Sequence, residues 1–267
     1  MAVATPDAAL SLMLRGWRDW SLARPLTEAP RAGALLHQGS GHRVFRLLCS
    51  EPLVARLRCR PTQKLQGGFE REIAIARQAA QAGLAPQIHA VDQAAQTMVM
   101  EYADSSLLRP DIRQLGVLLR AIHTLEPVPW RLDLRQALEH YLDELPLPQR
   151  ARWSGVIADD KHQLALRVLE QDPVFLCHND LTPGNLLWLD NRLVAIDWEY
   201  AAMGSRYFDA AIVAQALPHA EQHILLNIVF DNDWDPQRFS AGQIVADLVT
   251  ELWSAAFGGA ACMRPAD

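Results

Sequence analysis

The chain has 267 residues, of which 50% are hydrophobic and 21% are charged, and its formal net charge is −6 at pH 7. This composition predicts a globular protein with a sizeable core and excludes a disordered chain. The acidic balance, without a cluster of Lys and Arg, argues against binding to nucleic acid.

The lack of a recognisable targeting signal and the spacing of the cysteines both indicate the cytoplasm. The N-terminus lacks the basic start and apolar run of a signal peptide, and no stretch reaches the roughly 18 apolar residues that span a bilayer. The cysteines form no C-x-x-C pair, which argues against a zinc site or a disulfide framework. We therefore expect a cytoplasmic protein with no membrane partner.

The first hundred residues predict a small antiparallel sheet with one helix packed on it. A helix is expected over 8–20, and a second over 69–82 ends where Gly83 stops it. Short apolar runs bounded by turn residues predict strands. These runs are 35–37, 44–48, 53–57, 88–91 and 97–101.

The chain becomes mostly helical after Tyr102. Apolar periodicity predicts helices over 115–122, 134–142 and 150–170, and helix again after Arg206. One strand-rich segment, 174–197, interrupts them. We expect two lobes, with an N-terminal lobe at 1–102 and a C-terminal lobe at 103–267.

A chemically distinctive motif lies inside that strand-rich segment. Residues 178–185 read His-Asn-Asp-Leu-Thr-Pro-Gly-Asn, which fits H-x-D-x-x-x-x-N, the catalytic-loop pattern of protein kinases. Two apolar runs follow, joined by Asp190-Asn191, a pair suited to a two-residue hairpin turn. Counting outward from that turn places Asn185 beside Ile196.

The predicted hairpin brings an amide oxygen from Asn185 and a carboxylate from Asp197 to one open end. Mg²⁺ favours hard oxygen ligands of this kind. Asp180 would then orient or deprotonate an acceptor hydroxyl, which is what phosphoryl transfer needs from a protein. The structural alternative is that Asp180 and Asn185 are turn residues and Asp197 caps a strand. His178 is expected to organise the loop through hydrogen bonds.

These segments resemble the aminoglycoside phosphotransferase and choline kinase superfamily and are most similar to its choline and ethanolamine kinase branch. The resemblance extends to Val194-Ala195-Ile196-Asp197-Trp198-Glu199-Tyr200 and Arg206-Tyr207-Phe208-Asp209. The resemblance implies an α+β, bilobal, protein-kinase-like fold with a small antiparallel-sheet N-lobe and a larger, mostly helical C-lobe. It also implies ATP and Mg²⁺ as cofactors, Asp180 as the catalytic residue, and Asn185 and Asp197 as metal ligands.

The resemblance assigns further residues to ATP. Arg56 corresponds to the basic residue that contacts the nucleotide phosphates, and Glu72 to the glutamate that pairs with it, although a solvated glutamate is the alternative. The triplet Gly39-Ser40-Gly41 resembles the phosphate-covering loop, where missing side chains let backbone N–H groups approach anions. Glu101 and Tyr102 lie where relatives bind adenine, and Asp209 is expected to steady the catalytic loop.

The acceptor is expected to be a small, cationic alcohol. Sites for such cations combine carboxylates with aromatic faces, and the resemblance makes Glu199, Tyr200 and Trp253 the candidates. Four interpretations remain open: a choline or ethanolamine kinase, a thiamine kinase, an aminoglycoside phosphotransferase, and a non-catalytic kinase-like binding protein. An aminoglycoside site would need many carboxylates, whereas the region after Arg206 is only modestly acidic.

Overall fold

The computed structural model describes residues 8–39, 41–58, 68–104 and 110–258. Its first part contains the small antiparallel sheet that the sequence predicts. The elements of this part are α1 (Ala8–Arg15), β1 (Arg31–Gln38), β2 (His42–Leu48), β3 (Leu53–Arg58), α2 (Gly68–Gln81), β4 (Ile88–Asp92) and β5 (Thr97–Glu101). The five strands lie in the order β1-β2-β3-β5-β4. The helix predicted over 8–20 stops at Arg15, and a short 3₁₀ turn, Trp17–Asp19, follows.

The central strand β3 separates a core from a cavity. Leu53, Ala55 and Leu57 pack in the apolar cluster that includes α1, while Val54 and Arg56 line the cavity on the other side of the sheet. Successive side chains of a strand point to opposite faces. One strand therefore contributes both to the stability of the sheet and to a site.

Helix α2 packs against both parts of the molecule. Phe69 and Ile73 contact Met98 of β5, whereas Ile75 and Ala79 belong to the large core formed with the helical part. The division at residues 102 and 103 stays a prediction, because α2 belongs to the packing on both sides of it.

The remaining chain is mainly helical and surrounds that large core. Leu115, Leu118, Leu119 and Ile122 form the buried face of α3, as predicted. Among the described residues, no helix combines the length and apolar character needed to cross a membrane. The elements are α3 (Ile112–Ile122), α4 (Leu134–Asp143), α5 (Leu147–Ala158), α6 (Asp160–Glu170), β6 (Val174–Cys177), β7 (Leu186–Leu189), β8 (Arg192–Ala195), β9 (Ala202–Ser205), α7 (Arg206–Ala214), α8 (His219–Val229) and α9 (Pro236–Phe257).

The prediction of one helix over 150–170 is wrong, because two helices, α5 and α6, meet at Asp159. That residue has φ −57° and ψ 137°, and its side chain accepts a hydrogen bond of 2.9 Å from the backbone N of Lys161. Asp competes for backbone N–H groups in this way, so it favours the start of a helix over its interior.

The predicted hairpin is present as β7 and β8. Leu189 pairs with Arg192, and the turn residues Asp190 and Asn191 have φ of 48° and 64°, the left-handed values that a two-residue turn of type I′ requires. Strand β9, which pairs with β6, was not predicted. It has only four residues, including a glycine, and shows no alternation of apolar and polar residues.

Helices α7 and α9 cross closely at Gly242. A Cβ atom built there would lie 2.5 Å from the carbonyl oxygen of Tyr207, well inside contact distance. This crossing holds together the two helices that line one end of the cavity described below.

Candidate active site

A cavity of about 750 Å³ lies between the sheet and the helical part. Residues predicted from the sequence to contact nucleotide, metal or acceptor converge on it, although they are distant in the chain. Ser40 lies outside the described residues. The predicted residues that line the cavity are Gly39, Gly41, Arg56, Glu72, Glu101, Tyr102, Asp180, Asn185, Asp197, Glu199, Tyr200 and Trp253.

Asn185 and Asp180 are joined directly. The Nδ2 atom of Asn185 donates hydrogen bonds to the carbonyl oxygen of Asp180 at 2.8 Å and to its Oδ2 atom at 2.9 Å. Because both partners are acceptors, this side of the amide must be the nitrogen. The Oδ1 atom of Asn185 is therefore left as the acceptor, and it has no hydrogen-bond donor within the described ranges.

Asp209 anchors the loop that carries Asp180. Its carboxylate accepts hydrogen bonds from the backbone N of His178 at 3.0 Å, the backbone N of Asn179 at 2.7 Å and the Nε2 atom of His123 at 2.9 Å. Burial opposes ionisation of Asp209, but the hydrogen bond and charge of His123 outweigh it and lower the pKa of the carboxyl group. The geometry agrees with the supporting role expected for Asp209.

His178 links the loop to the segment that carries the predicted metal ligand. Its Nε2 atom contacts the carbonyl oxygen of Ile196 at 3.0 Å, and its ring packs 4.7 Å from that of Trp198. Burial lowers the pKa of His178, so the neutral ring donates from Nε2. The contact geometry agrees with the expected organising role.

Asp197 follows the hairpin in a left-handed conformation, with φ 65°. The backbone N of Ile196 donates to the carbonyl oxygen of Asn185 at 3.0 Å, so the register is the one counted from the turn. Burial acts to raise the pKa of Asp197, but the Arg56 guanidinium outweighs it and holds the pKa low. By contrast, burial and then the charge of Asp197 raise the pKa of Asp180 to about 7.

Arg56 is the centre of a buried ion-pair cluster. Its Nη1 atom pairs with Glu72 and its Nη2 atom with Asp197, while Nη2 also lies 3.1 Å from the Nδ1 atom of His42. Glu72 is only 1% exposed, which excludes the alternative that it is a solvated surface residue. Glu72 and its neighbours thus aim the guanidinium into the cavity.

Sequence reasoning missed two further arginines in this cluster. The Nη2 atom of Arg58 donates to Glu72 Oε2 at 2.6 Å and to Glu199 Oε2 at 3.1 Å, and Arg71 donates to the carbonyl oxygen of Glu199. Arg58 follows Arg56 by two positions, and the two-residue period of a strand places both on one face. Arg71 on α2 gave no comparable signal.

The connection after β5 is held by hydrogen bonds to neighbouring segments. Glu101 accepts a hydrogen bond from the backbone N of Gln87 at 2.9 Å, and the backbone N of Tyr102 donates to the carbonyl oxygen of Pro52 at 2.8 Å. The N–H of Ala103, which also lines the cavity, has no acceptor among the residues the structure describes. This N–H is therefore better placed to meet a ligand than the two residues named from the sequence.

Aromatic side chains form the opposite end of the cavity. Trp253 Nε1 donates to the hydroxyl of Tyr200 at 3.3 Å. Tyr141 lies beside them, on the helix that the sequence predicts over 134–142. Burial and then the charge of Asp180 raise its pKa to about 12. The lining continues along α7 and α9 through Ile212, Gln215, Val249, Thr250 and Ser254.

Comparison with known proteins identifies relatives of this arrangement. The sequence profile of the phosphotransferase enzyme family matches residues 33–242. A LicA homolog from Mycoplasma capricolum is 25% identical over 123 residues, which are 45% of this chain and 50% of that protein. A thiamine kinase from Escherichia coli is 30% identical over 132 residues, 48% of this chain and 46% of that protein. The chain thus spans about half the length of the curated relatives it matches.

Among solved structures, a choline/ethanolamine kinase family protein from Mesorhizobium loti has a TM-score of 0.66 at 22% identity, covering 92% of this chain and 85% of that one. At this identity the likeness shows the fold. It confirms the predicted α+β, protein-kinase-like architecture.

Proposed function

Since the chain belongs to the phosphotransferase enzyme family, we propose that it is an ATP-dependent kinase that transfers the γ-phosphoryl group to a hydroxyl of a small, cationic alcohol of the choline or ethanolamine type. The observation that carries this proposal is the meeting of Asp180, Asn185 and Asp197 in one cavity with the Arg56–Glu72 pair. Phosphoryl transfer needs an aligned hydroxyl and neutralised phosphate charge, and this set of side chains offers both.

The residues around the proposed magnesium site fit that ion. Asn185 presents an amide oxygen because its nitrogen is held by Asp180, and Asp197 presents a carboxylate whose low pKa keeps it ionised. Hard oxygen ligands of this kind suit Mg²⁺. When bound, the ion neutralises negative charge on the β- and γ-phosphates.

The other residues position the two substrates. Arg56, aimed by Glu72, binds phosphate oxygens with its planar fork, and the main chain around Gly39 and Gly41 covers them. The connection that runs from Glu101 through Ala103 meets the adenine edge. Asp180 accepts the hydrogen of the acceptor hydroxyl on the oxygen that Asn185 leaves open.

The charge of the acceptor end favours a monocation. Asp180 and Glu199 are the carboxylates of that end, and Glu199 is already paired with Arg58. One carboxylate beside the faces of Tyr200 and Trp253 suits a single ammonium group. A polycationic aminoglycoside would need more acidic partners, and the lining residues on α7 and α9 are uncharged.

Thiamine, likewise a cationic alcohol, is the second candidate acceptor. It is favoured by the 30% identity, over 48% of this chain, to the Escherichia coli thiamine kinase and by a cavity whose lining includes Gln215 and Thr250 besides Trp253. A non-catalytic binding protein would be expected to lack one of the catalytic or metal positions, and all of them are present.

The test is a screen for ADP release with ATP and Mg²⁺ across choline, ethanolamine, thiamine and several aminoglycosides. We expect turnover with one of the monocationic alcohols and loss of that turnover in Asp180→Asn. Turnover with aminoglycosides alone would contradict the acceptor class. ATP binding without turnover of any alcohol would favour the non-catalytic interpretation.

A further inference from the structure

We propose that His42 is a positioning residue for nucleotide binding. Its Nδ1 atom fixes the guanidinium of Arg56, and that guanidinium binds the phosphates. This inference rests on the proposed function, since it concerns the binding of ATP. His42 is the first residue of β2, directly after the candidate phosphate-covering loop, and it lines the cavity.

The hydrogen bond between the two side chains has a defined direction. Arg56 Nη2 lies 3.1 Å from His42 Nδ1, and a guanidinium can only donate. The Nδ1 atom must therefore accept, which requires a neutral ring with its proton on Nε2. The same Nδ1 atom lies 4.0 Å from Oδ2 of Asp197, beyond hydrogen-bond distance, so the guanidinium is its hydrogen-bond partner. Both side chains are buried, His42 at 6% and Arg56 at 8% exposure.

A neutral hydrogen-bond acceptor is better suited than a third carboxylate to orient the Arg56 guanidinium. Arg56 already pairs with Glu72 and Asp197, and Asp197 is also the proposed ligand of the divalent ion. If Asp197 were to hold the ion, Glu72 would still pair with Nη1 and His42 would remain to orient Nη2. Because the imidazole is uncharged, it directs the guanidinium without weakening its attraction for phosphate oxygens.

The other ring nitrogen argues against a role in stability alone. The Nε2 atom of His42 is buried and has no hydrogen-bond partner in the part of the chain that the structure describes. A buried N–H without an acceptor is destabilising, so this nitrogen gives the fold no stability that an apolar side chain would lack. An apolar residue of similar size at position 42 would avoid this cost and still fill the space under the sheet.

Three variants separate the two nitrogens. His42→Asn keeps an acceptor near the position of Nδ1, His42→Gln keeps a polar group near Nε2 only, and His42→Leu removes both. His219→Leu serves as the matched control because His219 is exposed on α8, outside the cavity lining. For each, we would measure calorimetrically the affinity for a non-hydrolysable ATP analogue with Mg²⁺, the KM values for ATP and acceptor, and the urea midpoint of unfolding.

We expect His42→Leu and His42→Gln to weaken binding of the ATP analogue about tenfold, the effect of one hydrogen bond to a charged group. In these variants the KM for the acceptor should stay unchanged and the urea midpoint should stay equal or rise. His42→Asn should restore most of the affinity, and His219→Leu should resemble the wild type.

Unchanged nucleotide affinity in His42→Leu would overturn the inference while leaving the kinase proposal intact, provided that the wild type binds and turns over ATP. Failure of His42→Asn to restore affinity, or a lowered urea midpoint that accompanies the lost affinity, would overturn it in favour of a packing role. A wild type that binds no ATP analogue at all would overturn the proposed function, and this inference with it.

Discussion

The two ends of the cavity are held in very different ways. At the end near Arg56, side chains from β2, β3, α2 and the segment after β8 are joined by buried ion pairs and hydrogen bonds. At the end near Trp253, the described residues form no ion pair of this kind: Trp253 Nε1 donates to the Tyr200 hydroxyl and Thr250 Oγ1 to Gln215 Oε1, and Gln215, Thr250 and Ser254 are exposed. Under the proposed function, the reaction type would depend on many mutually dependent contacts, whereas the choice of acceptor would depend on few.

The largest effect should come from the centre of the densely bonded end. We expect Asp180→Asn to lower kcat by about 10²- to 10⁴-fold, because the amide cannot take the hydrogen of the acceptor hydroxyl. Affinity for ATP should change less than about threefold, which calorimetry would measure. Near-normal turnover in this variant would remove the contrast between the two ends, because the catalytic carboxylate would then lie elsewhere.

Stability provides the second way to test the contrast. We expect Asp209→Ala to lower the free energy of unfolding by about 3 kcal/mol or more, because two backbone N–H groups and His123 lose a buried acceptor. Asp143→Ala is the matched control, since Asp143 pairs with Arg150 on the surface and its loss should cost less than about 1 kcal/mol. Equal effects of the two variants, measured by urea unfolding, would contradict the anchoring role.

The pH dependence of unfolding should also test the anchoring role of Asp209. The pKa of Asp209 is lowered in the folded protein, so its contribution is fully present above the unfolded pKa of about 3.9 and is lost as the pH falls through the lower folded value. The difference in unfolding free energy between wild type and Asp209→Asn should therefore narrow below about pH 4. A difference that stays constant down to about pH 2 would show that ionisation of Asp209 is not involved.

A smaller effect is expected at the aromatic end. Trp253→Ala should raise the KM for the acceptor about tenfold, the contribution of one aromatic face to binding an ammonium group, while the KM for ATP stays unchanged. Trp253→Phe keeps a ring but loses the N–H that reaches Tyr200. Its KM for the acceptor should fall between the values of the wild type and Trp253→Ala. If both KM values rise together, the two ends are not independent.

The smallest effect should come from outside the cavity. Asp159→Ala removes the side chain that begins α6 and should cost about 1 kcal/mol of stability, as loss of a helix N-cap does. The kinetic constants should remain those of the wild type. A drop in kcat without a change in the free energy of unfolding would show that the junction of α5 and α6 affects the site.

The same contrast explains how far the sequence could be interpreted. The hairpin could be predicted down to the placement of Asn185 beside Ile196, because the turn, the strands and the two proposed metal ligands lie within thirteen residues. The break at Asp159 was missed, although an Asp before a new apolar period is a local signal that could have been used. The link between Arg71 and Glu199 could not be predicted, because it joins residues 128 positions apart.

For the acceptor end, the sequence suggested the aromatic residues but not their arrangement. Tyr141 fits the buried face of an amphipathic helix, and no periodicity distinguishes a core tyrosine from one that lines a cavity. Glu199 was expected to bind the acceptor, a role that stays a prediction; its pairing with Arg58 depends on the relative placement of β3 and the segment after β8.

Gly242 offers a way to change the width of the cavity without changing a residue that lines it. Any side chain there would collide with the main chain of α7, so the two helices would have to separate, and with them Ile212 on one side and Val249 on the other. Gly242 lies outside the cavity lining, yet the close approach of α7 and α9 that it permits sets the width of the proposed acceptor end. Substrate preference could shift through a residue that no bound molecule touches.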